Sequence, residues 1–74
     1  MEKKYENVLR KIFDRSDELG STHVTDVYTG AESDERREIC GWLSQQGYIR
    51  NVEYIGREII RCDIEFKAID YFLK

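Results

Sequence analysis

Apolar side chains recur at Tyr5, Val8, Leu9, Ile12, Phe13 and Leu19. That spacing draws a single stripe down a helix of 3.6 residues per turn. Lys3, Lys4, Glu6, Arg10, Lys11, Asp14 and Arg15 fill the opposite face, and Gly20 supplies a left-handed stop. The pattern predicts a first helix over residues 2–19. A short second helix is expected over 24–29, burying Val24, Val27 and Tyr28, with either Thr22 or Thr25 as its N-cap and Gly30 at its end. Ser33 then reads as the N-cap of a third helix, with Asp34 and Glu35 in the first turn, where the helix dipole favours negative charge. This helix is expected to run to Gln46 and to stop at Gly47. Glu35, Arg36, Ile39, Trp42, Leu43 and Gln46 share one half of its wheel; Asp34, Arg37, Glu38, Gly41, Ser44 and Gln45 form the other.

Between residues 50 and 65 the period changes from 3.6 to 2. Ile60, Cys62 and Ile64 alternate with Arg61, Asp63 and Glu65, and Val52 and Tyr54 alternate likewise, as in half-buried strands. All the inward candidates are even-numbered, so they oppose one another only across an odd loop. Gly56-Arg57-Glu58 is such a loop. It pairs Tyr54 with Ile60 and Val52 with Cys62, whereas a two-residue loop would mix the faces. On the outer face the same register sets Glu53 against Arg61 and Ile55 against Ile59. Ile55 and Ile59 then point away from the core near the tip, either as a docking point or packed under a neighbouring loop. Phe66, Ile69, Phe72 and Leu73 return to helical spacing and predict a last helix over 66–74, folded back on the first.

A chain of 74 residues suits one domain spanning 1–74. Its apolar fraction of 41% is too high for disorder. No apolar run approaches a membrane span, and the charged Met1-Glu2-Lys3-Lys4 start lacks the apolar region of a signal sequence. Cys40 and Cys62 are too few for a disulfide framework or a zinc site and read as buried thiols of a reducing, cytoplasmic setting, with one disulfide as the alternative. His23 has no carboxylate or cysteine at ligand spacing beside it, no nucleophile has a positioned base, and no phosphate-cradling glycine loop is present. The expectation is therefore a non-enzyme without metal or cofactor. Trp42 reads as half-buried core.

The order helix, helix, turn, helix, hairpin, helix resembles the winged helix-turn-helix family, including small proteins of the MarR and PadR type. Ser33 opening the third helix and Trp42-Leu43-Ser44-Gln45-Gln46-Gly47-Tyr48-Ile49 closing it are similar to that family's exit from its recognition helix. Ile64 to Leu73 looks like its passage from wing to last helix, with Glu65 and Ala68 where Thr and Gly are usual. The resemblance implies an α+β fold: a three-helix core, a two-stranded antiparallel wing and a short C-terminal helix. It further implies a regulator of transcription that binds double-stranded DNA and pairs as a homodimer, here through the first and last helices. The matching positions are Arg37, Ser44 and Gln45 toward base edges, Arg36 toward phosphate and Arg57 at the wing tip.

Charge opposes that implication. The formal net charge is −3. Residues 1–20 and 48–74 are each neutral, while residues 21–47 carry only Arg36 and Arg37 against Asp26, Glu32, Asp34, Glu35 and Glu38. The whole deficit falls on the segment that would meet phosphate, although phosphate neutralisation supplies most non-specific DNA affinity. A second functional class follows: a winged-helix module with little or no DNA affinity that docks a protein through Ile55 and Ile59 beside an acidic third helix.

Overall fold

The computed structural model covers residues 1–74. Its elements run α1 (Lys3–Leu19), β1 (His23–Tyr28), α2 (Ser33–Gln45), β2 (Ile49–Ile55), β3 (Ile59–Ile64) and α3 (Phe66–Leu73). The fold is α+β. The strands form one antiparallel sheet in the order β1-β3-β2. Val8, Leu9 and Ile12 of α1 and Ile39, Cys40 and Leu43 of α2 are buried in one core with Val24, Val27, Ile49, Ile60, Cys62 and Ile64 of the sheet. α3 adds Ala68 to this core, and its Phe72 ring lies 5.0 Å from that of Phe13. No helix is long and apolar enough to cross a membrane.

α1 stops as its sequence predicts. Gly20 takes φ +64°, and its N–H reaches back to the Asp17 and Ser16 carbonyls. The Ser16 hydroxyl donates to the Ser21 carbonyl at 2.6 Å, which turns the chain toward β1. α2 begins one residue earlier than expected: Glu32 is its N-cap and Ser33 its first helical residue.

The expected helix over 24–29 is instead the strand β1, so only two helices precede the hairpin and no helix-turn-helix pair forms. The cause is a β-bulge. Val24 pairs with Cys62 and Val27 with Ile60, leaving Thr25 and Asp26 opposite Arg61 alone. Asp26 absorbs the extra residue with φ +53°. The bulge brings Val24 and Val27, three positions apart, onto the same buried face, and this spacing imitates a helix turn. β-Branched and aromatic residues fill the segment, as suits a strand. Tyr28, expected in the core, points out instead and is 60% exposed.

The hairpin keeps its three-residue loop and its pairs Tyr54 with Ile60, Glu53 with Arg61 and Ile55 with Ile59. A second bulge interrupts it below Glu53. There Asn51, at φ +53°, and Val52 together face Cys62, so the simple pairing of Val52 with Cys62 is not made. This bulge shifts the parity of β2 and lets odd-numbered Ile49 enter the core opposite Ile64.

Candidate interaction surface

The hairpin tip is anchored on two sides. From α2, Arg36 donates through one guanidinium nitrogen to the Gly56 carbonyl at 2.7 Å and to the Ile59 carbonyl at 3.1 Å. From the end of β1, the Thr29 N–H and hydroxyl both donate to the Glu58 carbonyl, at 2.7 and 2.8 Å. The Tyr28 hydroxyl donates to the Glu58 carboxylate at 2.9 Å and is held in its protonated form by that bond, its pKa raised. Lys11 of α1 secures the same junction through the Thr29 carbonyl at 3.0 Å. These bonds brace the tip from α1, α2 and β1.

Arg36 is only 4% exposed, and it makes no ion pair with any carboxylate. Two carbonyls and the Tyr54 ring, 4.9 Å from the guanidinium carbon, surround it, while its Nε has no partner. This corrects the expectation that Arg36 reaches a phosphate: the side chain holds α2 to the hairpin. Arg37 lies on the surface, over the same ring at 4.4 Å. Ser44 and Gln45 are exposed at the far end of α2, and Arg57 is exposed at the tip. Glu32, Asp34, Glu35 and Glu38, at and after the start of α2, are all exposed, with Glu38 paired to Lys4 at 3.2 Å. A hollow beside the tip is lined by Glu32, Ser33, Gly56, Arg57 and Glu58.

Ile55 and Ile59 face each other across β2 and β3, and β1 extends this pair. Tyr28 pairs with Ile59 in the register of β1 with β3. Tyr28, Ile59 and Ile55 thus form an apolar row across all three strands on the solvent face of the sheet. Ile55 is 39% exposed and Ile59 half-buried. Tyr28 escapes a reading that places 24–29 in a helix; the Val-Thr-Asp-Val-Tyr composition was the available signal. Polar rows follow further along the sheet. Arg61 donates to Glu53 at 2.7 Å, which lowers the Glu53 carboxyl pKa, and Asp26 adds its field to Arg61. Beyond them Asp63 accepts from Asn51 at 2.8 Å and contacts His23 Nδ1 at 2.7 Å. These two bonds hold the Asp63 carboxyl below its ordinary value.

Cys40 and Cys62 are free and buried. Burial pushes their thiols up to about 11 and about 12, so neither is a ready nucleophile. No group of three His, Cys, Asp or Glu side chains is placed to hold a metal ion. Trp42 is half-buried, stacked on Tyr5 with ring centroids 4.2 Å apart. No family model, curated protein or solved structure matches the chain.

Proposed function

We propose that the chain is a protein-docking module, in which α2, the hairpin β2–β3 and the strand β1 present the tip of the sheet to a partner. The carrying observation is the Tyr28–Ile59–Ile55 row at a braced tip beside the acidic start of α2. Exposed apolar side chains fixed in place lose little entropy on binding and supply anchors. Glu32, Asp34, Glu35 and Glu58 around them favour a partner with an apolar anchor and basic flanks.

The competing reading, a DNA-binding regulator of transcription, uses Arg37, Ser44 and Gln45 of α2 and Arg57 of the hairpin tip. It is the weaker one because Arg36 is committed to the hairpin and the remaining cations on α2 and the tip are outnumbered by carboxylates. One pair of measurements separates them. The tagged chain is expected to capture a protein that Ile55→Asp no longer captures, and to leave a mixed-sequence duplex unshifted at low salt. A salt-dependent duplex shift that Arg37→Ala and Arg57→Ala weaken, with capture indifferent to Ile55→Asp, would reverse the assignment.

A further inference from the structure

The helices pack on one face of the sheet, against Val24, Val27, Ile60, Cys62 and Ile64, and its other face is open to solvent. On the open face Tyr28, Ile59 and Ile55 stand side by side on three neighbouring strands, each paired directly with the next. Neighbouring strands lie ~4.8 Å apart, so this row is ~10 Å long and runs across the strands. Further from the tip the face turns polar, with Glu53 bonded to Arg61, and His23 and Asn51 to Asp63. The apolar row is therefore a narrow strip at one end of the sheet, set at right angles to β1, β2 and β3.

Resting on the docking role proposed above, we infer that the partner's contact segment is an amphipathic α-helix with basic flanks, laid along this strip and so across the strands. Spacing selects the helix. Apolar side chains at i, i+4 and i+7 lie ~6 and ~4.5 Å apart along a helix axis and span ~10.5 Å, which matches three side chains set ~4.8 Å apart. An extended segment repeats on one face only every ~6.7 Å, so it seats one side chain on the strip and falls out of step at the next. Charge selects the flanks. Arg61 is paired to Glu53, and Lys11 is turned to the Thr29 carbonyl, which leaves Asp26, Glu32 and Glu58 against Arg57 beside the strip. Arg37 lies over Tyr54, on the opposite face of the hairpin from Ile55. Asp26 borders the strip on its inner side, and Glu58 borders it at the tip, where its carboxylate accepts from Tyr28. Lys or Arg on either side of the helix's apolar stripe therefore meets a carboxylate.

Fluorescence anisotropy with the full chain and two labelled synthetic peptides tests this. Both peptides are built from leucine, alanine and lysine in the same proportions. One repeats leucine at i, i+4, i+7 and i+11; the other sets leucine at every second position. The helical peptide is expected to bind at least about tenfold more tightly than the alternating one. Ile55→Asp is expected to weaken it by more than about tenfold, as removal of a binding anchor does, although the added negative charge would strengthen a purely electrostatic attraction. Glu58→Gln is expected to weaken binding about threefold at low salt and to have no effect in high salt. Ile55 is exposed, so unchanged circular dichroism and melting separate lost binding from lost folding. An alternating peptide that binds as tightly as the helical one, and is released by Ile55→Asp, overturns the helix and leaves the docking role standing. Failure of the helical peptide to bind overturns the helix alone where protein capture still depends on Ile55, and overturns both where it does not. A helical peptide that binds the wild type and Ile55→Asp equally also overturns both.

Discussion

Arg36 on α2 and Gly56 at the hairpin tip are joined by a charge-assisted hydrogen bond of 2.7 Å, made by a buried guanidinium with no carboxylate partner. Arg36→Ala would leave the Gly56 and Ile59 carbonyls without this donor. Hydrogen bonds to charged groups contribute roughly 1.5–3 kcal/mol, and two are lost together. A stability loss of about 2–3 kcal/mol in urea unfolding is expected, with faster amide exchange at residues 56–59. Wild-type stability in Arg36→Ala would show that the tip is held by the Thr29–Glu58 bonds alone.

Gly41 lies inside α2, and a Cβ placed there meets nothing within 4 Å. The residue therefore costs helix stability with no packing reason for it within the chain. Gly41→Ala is expected to raise stability by about 0.5–1 kcal/mol. A loss instead would point to a contact made only in an assembly.

Asp26 and Asn51 each hold a bulge at φ +53°, a conformation that a β-branched residue adopts only under strain. Asp26→Val and Asn51→Val are each expected to cost about 1–2 kcal/mol, while the glycine variants stay near wild type. Equal melting temperatures for valine and glycine at either site would remove the bulge from the account of the fold.

The Glu53 and Asp63 carboxyls titrate below their ordinary values of 4.5 and 3.8, Glu53 through Arg61 and Asp63 through Asn51 and His23. Groups with lowered folded-state values contribute stability that is complete above the ordinary values and is lost as pH falls through the lowered ones. Acid unfolding is therefore expected to set in below about pH 4, with a shallower acid limb in Asp63→Asn. Both groups lie at the surface, so the effect is expected to shrink in high salt. A wild-type acid limb in Asp63→Asn would take this residue out of the linkage.

Cys40 and Cys62 are fully buried, and their thiols are held protonated at neutral pH. A thiol reagent at pH 8 is expected to react with the native chain only through opening, and with both thiols rapidly in denaturant. Fast native labelling of either cysteine would contradict the packing of α2 on β3.

Much of this architecture is legible in the chain. The amphipathic stripe marks α1, Gly20 its end, and the parity of Val52, Tyr54, Ile60 and Cys62 yields the hairpin loop with the Glu53–Arg61 and Ile55–Ile59 pairs. The segment 24–29 misleads because periodicity cannot distinguish three residues per helical turn from a strand with one residue inserted. Val24 and Val27 satisfy both. The site inherits that error. Ile55 and Ile59 are visible as an outward pair, but Tyr28 joins them only once β1 is a strand. Arg36 shows the other limit. On a helical wheel it shares the half that holds Ile39 and Leu43, yet its charge argues for solvent, and the carbonyls that accept it come from a turn twenty residues away.

The two kinks at Asp26 and Asn51 fall on the two outer strands of the sheet, one on each side of β3. A foreign strand seeking to lengthen the ribbon from either border would find the ladder broken midway. Recognition is thereby steered away from backbone zippering, which is indifferent to the visitor's side chains, and toward encounters in which side-chain shape and charge decide who is admitted.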